Sequence, residues 1–519
     1  MQYNYKVCIL AAGKGTRNKS IEGLHKALLP LENRTVLSHL FDRIPEEVEV
    51  VIAVGYKSQQ IKSYIKEVYP DKNITFVDID NFDGTGSGPG YSLLCCAPKL
   101  QCPFIWMPAD TLTEENFNYH EIKNNWVATG YVDEKYSSIY CLIDGETHLN
   151  KFYYGTGEKL FVGIGGIYDY KEFWESLSNK ELIHKEHQVI NGFNNLENVE
   201  LKYFKWYDTG NMESYAITKT RFSREIVASK INEAIYIEKN KVIKFFSDVN
   251  KVKQRIERIN YLNNTCPNVT KINDNMYCYD FLKGETLSKI HDTNILKQLF
   301  VFWLENLRKN KFEKNEEFLK NCKEIYYNKT YNRCKYYANQ DIDSIEYING
   351  VKVGTIYDML QKIDWDSIYD SAIPSNFHGD FQPENIIYNI NTNKFTLIDW
   401  RESFGDSLEI GDAYYDLSKL YHALLINGSD VNNKLYHVEI NENKAYVFNH
   451  SRSNLLFLLD ELKSFCKTNN YSWENIELLG ILHYLSICSL YNDFHNGNYG
   501  KFLFLYGKCL LAKLLNNKN

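Results

Sequence analysis

Near its N-terminus the chain reads Leu10-Ala11-Ala12-Gly13-Lys14-Gly15-Thr16-Arg17, a glycine-rich turn that follows an apolar segment beginning at Val7. We expect the apolar segment Val7–Ala12 to form a buried strand. The small residues after it let the backbone pass close to a ligand, and successive N–H groups in such a turn form a concave site for an anion. Arg17 adds a guanidinium that can bind two phosphate oxygens at once. The stretch therefore predicts a strand and a phosphate-binding turn, with Leu10, Ala11, Ala12, Gly13, Gly15 and Thr16 as candidate binding residues.

The chain up to residue 222 alternates short apolar segments with helical patterns. The predicted strands are Val7–Ala12, Val48–Val54, Ile74–Ile79 and Phe104–Met107, and the predicted helices are Val36–Ile44 and Ser58–Val68. Strands that alternate with helices are typical of a mostly parallel α/β sheet.

Five further motifs follow the turn in order along the chain. They are His25-Lys26-Ala27-Leu28-Leu29-Pro30-Leu31, Val54-Gly55-Tyr56, Gly84-Thr85-Gly86-Ser87-Gly88, Met107-Pro108-Ala109-Asp110 and Trp206-Tyr207-Asp208-Thr209-Gly210. Together with the turn, these motifs resemble the sugar-phosphate and phosphocholine nucleotidyltransferases, whose head motif is followed by a PKxLxP element. His25 stands where that element has proline, and the lysine after it is kept.

The resemblance implies a Rossmann-like nucleotidyltransferase domain over residues 1–222. In such a domain Arg17 and Lys26 would be the catalytic cations, and the segment at Gly84 would recognise the base. Asp110 and Asp208 would hold Mg²⁺, because hard cations take carboxylate oxygens.

Each of these assignments has an ordinary alternative. Asp110 alone could cap a helix and Asp208 alone could close a turn. Lys151 and Lys159 are candidates for binding the phosphate of the second substrate, and a solvated surface position is the alternative for both.

The second half contains a sharper motif, His378-Gly379-Asp380-Phe381-Gln382-Pro383-Glu384-Asn385, followed by Leu397-Ile398-Asp399-Trp400. Asp380 and Asn385 have the spacing of a kinase catalytic loop, in which the Asp orients a hydroxyl and the Asn binds Mg²⁺. Asp399 ends an apolar strand, where a second metal ligand is needed. The pair of motifs resembles the aminoglycoside phosphotransferases and choline kinases, which implies catalytic Asp380 and the metal ligands Asn385 and Asp399.

The same resemblance implies an ATP site upstream of the loop. Lys244 would bind the α- and β-phosphates with Glu257 as its partner, and adenine would bond to the backbone near Asp280 and Leu282. Lys241 is an alternative to Lys244, and a surface charge is the alternative for Glu257. Two further positions stay open: Arg401 could face the acceptor or pair structurally, and Asp412 could cap a helix.

We therefore predict an α/β protein of two domains. Residues 1–222 form the Rossmann-like nucleotidyltransferase domain, and residues 223–519 form an α+β protein-kinase-like domain of the small-molecule phosphotransferase type. A kinase makes a phosphate monoester and a nucleotidyltransferase consumes one, so the fusion suggests consecutive steps. The predicted partners are ATP, a second NTP with CTP favoured over UTP or GTP, and a small amino alcohol, polyol or sugar. One alternative is a sugar-1-phosphate nucleotidyltransferase that uses UTP or GTP and is fused to a sugar kinase. The other is a kinase of an unrelated substrate, of the antibiotic-modifying type, fused to a nucleotide-binding module.

The composition limits which classes of protein this chain can belong to. The net charge is −7, from 59 basic and 66 acidic residues, so no polycationic surface for nucleic acid is expected. No apolar run reaches the ~18 residues that span a bilayer, and scattered cysteines suit a reducing compartment. The sequence therefore predicts a cytoplasmic protein with neither nucleic-acid binding nor membrane insertion, and it leaves homo-oligomer formation open.

Overall fold

The computed structural model describes residues 3–132, 140–179, 181–222, 232–426, 428–450 and 453–516. The chain forms two compact units. The first contains the described residues up to 222 together with 232–248 and Lys271–Cys278, and the second contains Val249–Thr270 and the described residues from Tyr279 onward. The predicted domain junction at 222/223 adjoins residues 223–231, which lie outside the described residues, and it stays a prediction.

The first unit is built on a nine-stranded sheet. Its strands are β1 (Lys6–Ala11), β2 (Val50–Val54), β3 (Ile74–Asp78), β4 (Phe104–Pro108), β5 (Trp126–Tyr131), β6 (Leu142–Asp144), β7 (Lys151–Tyr153), β8 (Lys159–Ile167) and β9 (Glu200–Tyr203). They lie in the order β7-β6-β8-β4-β1-β2-β3, and β5 pairs with β8 and β9. Short two-stranded pairs join Pro30–Leu31 to Arg34–Thr35, Thr111–Thr113 to Trp206–Asp208, and Leu182–Ile183 to Glu186–His187.

The expected mostly parallel sheet is corrected to a mixed one. Strands β3, β2, β1 and β4 are parallel, whereas β8 runs antiparallel to β4, β5 and β6. Parallel neighbours need a crossover connection, and helices supply it only in the first part of this unit. The parallel half carries the glycine-rich turn at the carboxyl end of β1.

Helices cover this sheet because each has an apolar face. They are α1 (Val36–Phe41), α2 (Ser58–Val68), α3 (Pro89–Cys96), α4 (Tyr170–Leu177) and α5 (Met212–Phe222). In α2, Ile61, Tyr64, Ile65 and Val68 repeat at helical spacing and are all buried. The side chain of Thr35 caps α1 by accepting from the Ser38 amide at 3.0 Å. The predicted bounds of α2 agree with the structure, and α1 ends three residues earlier than predicted.

A four-stranded sheet follows in the chain, and most of it groups with the first unit. Its strands are β10 (Glu233–Glu238), β11 (Lys241–Phe246), β12 (Thr270–Asn273) and β13 (Met276–Asp280), in the order β10-β11-β13-β12. Lys239 and Asn240 join β10 to β11, and both have positive φ, as a two-residue type I′ turn requires. The predicted hairpin at this position is thus present.

The second unit is mainly helical. Its helices are α6 (Val249–Arg258), α7 (Thr293–Asn306), α8 (Glu316–Lys323), α9 (Lys329–Ala338), α10 (Ile356–Gln361), α11 (Trp365–Ser371), α12 (Ala413–Leu425), α13 (Gly428–Asn432), α14 (Ser453–Thr468), α15 (Trp473–Ile487) and α16 (Asn498–Asn516). A π-helical turn, Glu324–Asn328, joins α8 to α9. One small sheet joins Glu285–Thr286, Ile386–Asn389 and Lys394–Leu397, another joins Val351–Lys352, Tyr347–Ile348, Lys444–Asn449 and Tyr436–Asn441, and Pro374–Ser375 pairs with Gly411–Asp412.

Helices α12, α15 and α16 form the centre of this unit, and their buried faces carry large apolar side chains such as Leu420, Tyr484 and Phe504. The kinase-like fold of this part stays a prediction. Within the described ranges, no helix combines the length and the apolar character that crossing a membrane requires.

Candidate functional site

The glycine-rich turn is held at the carboxyl end of β1 by backbone hydrogen bonds. The carbonyl of Leu10 accepts from the Ala109 amide at 3.1 Å, and the carbonyl of Ala12 accepts from the Tyr56 amide at 2.9 Å. Gly15 has a φ of +61°, and a Cβ built on it would lie 3.0 Å from Cδ of Lys26. The turn therefore wraps closely around the Lys26 side chain, which only glycine permits at this position.

Lys26 pairs directly with the predicted metal ligand at the end of β4. Its Nζ lies 2.7 Å from Oδ2 of Asp110, and both side chains are mostly buried. Burial by itself would raise the pKa of Asp110, but the charge and hydrogen bond of Lys26, with a contribution from Arg17, hold it below its usual value. The carboxylate is therefore ionised and already faces two of the predicted catalytic cations.

A second carboxylate completes this site. A Cβ built on Gly210 would lie 3.0 Å from both Oδ2 of Asp110 and Oδ1 of Asp208, so the glycine leaves room between the two carboxylates. Burial raises the pKa of Asp208, and the nearby Asp110 raises it further although the Gly210 amide opposes it. Two close carboxylates that repel each other are a natural place for a divalent cation.

This donor set fits Mg²⁺ in the way that nucleotide enzymes bind it. Among the described residues no group of three or more His, Cys, Asp or Glu side chains could enclose a metal ion. Mg²⁺ usually takes one or two protein carboxylates and completes its shell with water and substrate phosphates. The pair Asp110 and Asp208 matches that mode.

Several residues that sequence reasoning missed organise the first site. The amide of Asn18 donates to the carbonyl of Thr209 at 2.8 Å, which ties the glycine-rich turn to the Asp208 loop. Tyr140 and Asn211 donate to Oδ2 of Asp208 at 3.2 and 3.1 Å. Asn18 directly follows the recognised motif, whereas nothing near Tyr140 in the sequence signals its contact.

The remaining predicted residues of the first unit lie around this pair. Thr16 and Arg17 are exposed, Gly13 is half-buried with open space around it, and Ala11 and Ala12 are buried. His25 is buried, and its Nδ1 accepts from the Ala27 amide at 3.1 Å, so it caps the short 3₁₀ turn that carries Lys26.

The segment predicted to recognise the base has a constrained backbone. Gly84, Gly86 and Gly88 all have positive φ, and Gly84 itself is exposed. A Cβ on Gly88 would lie 2.8 Å from the carbonyl of His187, so this glycine allows a close approach of two loops.

The two candidate phosphate lysines differ. Lys159 donates to the carbonyl of Gly145 at 2.7 Å, a structural contact, while Lys151 is exposed. Lys159 is half-buried, so it does not occupy the solvated surface position that was the alternative for it, and phosphate binding by either lysine stays a prediction.

In the second unit, the side chain of Asp416 holds the backbone of the predicted catalytic loop. Its carboxylate accepts from the amides of His378 and Gly379 at 2.8 and 2.7 Å. The ring of His378 lies 2.9 Å from the carbonyl of Ile398, and burial lowers its pKa to about 4. The neutral ring therefore connects the loop to the strand that leads to Asp399.

The loop brings the predicted catalytic and metal residues together. Nδ2 of Asn385 donates to Oδ2 of Asp380 at 3.0 Å, and Nζ of Lys419 lies 3.1 Å from Oδ1 of the same carboxylate. Asp399 has a φ of +59°, a strained conformation that is common at functional sites. Its Oδ1 lies 3.8 Å from the guanidinium of Arg255. Asn385 and Asp399 are the oxygen donors here that could hold Mg²⁺.

Two residues to which the sequence analysis assigned no role contact this loop. Lys419 comes from α12, which the sequence predicted only as a helix. Arg258 of α6 is fully buried and donates to the carbonyls of Phe377, His378, Arg401 and Leu408.

The predicted ATP-binding residues come from several elements. Lys244 is buried on β11 in the first unit, and Glu257 is an exposed residue of α6 in the second. Asp280 is exposed at the end of β13 and Leu282 is half-buried after it. Asp412 caps α12 by accepting from the Tyr414 amide, which is the alternative that the sequence left open for it.

Comparison with known proteins supports a nucleotidyltransferase-like domain in the first unit. Residues 7–119 match the family model of the MobA-like NTP transferase domain, so the N-terminal part is an α/β nucleotidyltransferase-like domain. No curated protein matches the chain.

The solved structures that are similar to this chain include the following three. CTP:phosphocholine cytidylyltransferase from Streptococcus pneumoniae has 17% identity, covers 42% of this chain and 100% of its own, and gives a TM-score of 0.35. A UDP-glucose pyrophosphorylase complexed with UDP-glucose has 17% identity, 42% and 98% coverage and a TM-score of 0.36. HddC from Yersinia pseudotuberculosis has 18% identity, 42% and 100% coverage and a TM-score of 0.33.

Proposed function

We propose that the protein is a bifunctional enzyme that phosphorylates a small hydroxylated molecule with ATP and then transfers a nucleotidyl group, from CTP by preference, to the new phosphate. The product is a nucleoside diphosphate linked to an alcohol or sugar, of the kind used to decorate cell-surface glycans. The observation that supports the proposal is that each half brings together side chains of the kind that phosphate transfer needs. These are Lys26 with Asp110 and Asp208 in one, and Asp380 with Asn385 in the other.

In the transferase step an oxygen of the substrate phosphate attacks the α-phosphorus of the NTP. The bond from that phosphorus to the bridging oxygen breaks, and pyrophosphate leaves with the electron pair. Lys26 and Arg17 would bind the triphosphate oxygens as negative charge builds up on them. Mg²⁺ held by Asp110 and Asp208 would neutralise phosphate charge.

In the kinase step the acceptor hydroxyl attacks the γ-phosphorus of ATP. The bond to the β,γ-bridging oxygen breaks, ADP leaves, and the hydroxyl proton passes to Asp380. Asn385 and Lys419 orient the Asp380 carboxylate by contacting both of its oxygens. Mg²⁺ held by Asn385 and Asp399 would neutralise the phosphates of ATP.

The test is mass spectrometry of one-pot reactions with Mg²⁺, ATP, one of CTP, UTP or GTP, and pooled amino alcohols, polyols, sugars and hydroxy acids. A mass equal to NDP-X supports both steps and gives the nucleotide and the formula of X. A mass equal to X-phosphate alone would support the kinase step and would not support transfer from the NTP that was supplied. Absence of both masses across the panel would contradict the proposal.

Two variants separate the steps. Asp380→Asn should reduce phosphorylation by about 10²–10⁴-fold, the usual contribution of a positioned general base, while transfer to supplied X-phosphate continues. Lys26→Met should do the reverse, so that X-phosphate accumulates. If either change alone stopped both reactions in a folded protein, the two-site proposal would be wrong.

A further inference from the structure

Four basic side chains lie near Asp380 of the catalytic loop or interact electrostatically with one another there, and we call them the cationic cluster. They are Lys329 and Arg333 of α9, Arg401 after the Asp399 strand end, and Lys419 of α12. Within the described part of the chain, only Lys419 among them contacts a carboxylate, that of Asp380 at 3.1 Å.

The other three members have neutral partners or none. Nη1 of Arg401 donates to the hydroxyl of Tyr415 at 2.7 Å, and Nε of Arg401 is buried without a hydrogen bond. Nη1 of Arg333 donates to the carbonyl of Ser486 at 3.0 Å. The Nζ of Lys329 makes no hydrogen bond or ion pair with any residue that the structure describes. The nearby carboxylate of Glu402 lies 3.7 Å from Arg255.

The π-helical turn before α9 packs beside the residue that Arg401 contacts: the ring of Tyr326 lies 6.1 Å from the ring of Tyr415. The charges of the four cations also act on one another. Burial lowers the pKa of Lys329, and Arg401, Lys419 and Arg333 lower it further, whereas Asp380 raises it. Arg401 lies beside the catalytic loop, because a Cβ built on Gly379 would lie 2.6 Å from its Cβ. Two carboxylates act on these cations: Asp380 lies beside Lys419, and Glu402 raises the pKa of Arg401 and opposes the lowering of the pKa of Arg333. The four cations still outnumber these anions in a largely buried place.

Such an excess of buried positive charge is unfavourable unless an anion binds there. A cationic acceptor such as an amino alcohol would add a fifth positive charge next to Asp380 and be repelled. An acceptor with its own negative group would instead be attracted. Lys419 and Arg401 already hold Asp380 and Tyr415, which leaves Lys329 and Arg333 on one face of α9 for that group. These two residues follow the π-helical turn Glu324–Asn328, a feature found frequently at functional sites.

We propose that the acceptor of the kinase step is an anionic alcohol, a hydroxy acid or sugar acid, whose negative group binds Lys329 and Arg333 while its hydroxyl faces Asp380. This inference rests on the proposed kinase function and narrows its substrate class. Amino alcohols are then excluded, and neutral polyols and sugars are poor substrates.

The test uses three acceptors with the same three-carbon frame: glycerate, glycerol and 3-amino-1,2-propanediol. ADP release by the full chain with Mg²⁺ and ATP gives kcat/KM for each acceptor. We expect glycerate to exceed glycerol, and glycerol to exceed the amine, by about tenfold or more at each step, the factor that ~1.4 kcal/mol produces. Preference for the amine or the neutral acceptor would overturn the inference.

Variants locate the effect on the acceptor. Lys329→Met and Arg333→Met should raise the KM for glycerate about tenfold or more and leave the KM for ATP unchanged, and Arg333→Lys should recover part of the loss. Lys335→Met removes an exposed lysine from the same helix and is the matched control. A rise in the KM for ATP instead would assign the cluster to the transferred phosphate and contradict the proposal.

A binding measurement separates this inference from the kinase proposal. Inorganic sulfate should raise the melting temperature of the wild-type protein and of Lys335→Met, but not that of the Lys329→Met, Arg333→Met double variant. If this pattern holds while no acceptor is phosphorylated, the anion site is supported and the kinase function is contradicted. If sulfate has no effect on the wild type, the anion site is wrong whatever the kinase assay gives.

Discussion

One carbon added at Gly15 would disturb the first site. Its φ of +61° is costly for other residues, and a Cβ there would press on the Lys26 side chain. Gly15→Ala should lower the free energy of unfolding by ~1–3 kcal/mol and displace Lys26 from its contact with Asp110. Thermal unfolding measures the first effect and nucleotidyl transfer the second, which we expect to fall about 10²-fold.

Gly13→Ala is the matched control, because no atom lies within 4 Å of the Cβ it would add and its φ is not positive. It should unfold like the wild type. Equal destabilisation by both substitutions would show that the close approach of Gly15 to Lys26 is not what the turn requires.

His25 predicts a pH dependence that a single substitution can isolate. Burial, and to a smaller degree Lys26, lower its pKa from 6.5 to about 3. The unfolded chain therefore takes up a proton near pH 6.5 that the folded chain refuses until about pH 3. The contribution of the neutral ring to stability is complete above pH 6.5 and is lost progressively as the pH falls toward 3.

His25→Asn keeps a side chain that can cap the 3₁₀ turn but removes the titration. Between pH 6 and 4 the wild type should lose about 1.4 kcal/mol per pH unit more than the variant. Unfolding by urea at a series of pH values measures this difference. Parallel curves for the two proteins would mean that His25 is protonated in the folded state.

At the scale of elements, the side chain of Arg258 binds α6 to the region of the catalytic loop. The guanidinium of Arg258 donates to four carbonyls of the loop region and lies 3.8 Å from the centre of the Phe377 ring. Arg258→Met would leave these buried carbonyls without their donor, at a cost of about 3 kcal/mol or more. The phosphorylating activity of this variant should therefore be lost at a lower temperature than that of the wild type. Residual activity after heating measures this difference. Lys253→Met changes an exposed residue of α6 and should have no effect.

The elements and the sites differ in how far the sequence predicts them. Helix α2 has a strong 3.6-residue repeat and the β10–β11 turn has the residues that a type I′ turn needs, so local patterns were enough. Gly15, Lys26 and Asp110 each lie in a short motif of adjacent residues, which can be recognised in the sequence. Lys419 and Tyr140 instead reach their sites through contacts between distant segments, 39 and 68 residues away from Asp380 and Asp208. No local pattern encodes such contacts, which is also why the antiparallel half of the first sheet was not predicted.

At the scale of the whole molecule, the predicted junction and the compact units divide the chain differently. The β10–β11 hairpin lies after residue 222, yet it packs into the first unit. The hydroxyl of Tyr236 donates to the carbonyl of Leu28 at 2.6 Å, and its ring lies 5.8 Å from that of Tyr64. Arg34 forms two hydrogen bonds with Glu238 at 2.7 and 2.9 Å. The hairpin therefore stabilises the unit that carries the transferase site.

This packing predicts which activity a hairpin substitution affects. Tyr236→Ala removes a fully buried ring from the first unit and should cost ~3–5 kcal/mol, whereas Tyr236→Phe removes only one hydrogen bond and should cost ~1 kcal/mol. Nucleotidyl transfer to supplied X-phosphate, measured after heating over a range of temperatures, should lose its heat resistance in that order. Because Tyr236 packs on the segment that follows Lys26, we expect the transferase activity to become more sensitive to heating. If heating inactivated only phosphorylation in Tyr236→Ala, the hairpin would belong energetically to the second unit, and the junction at 222/223 would also be the boundary of stability.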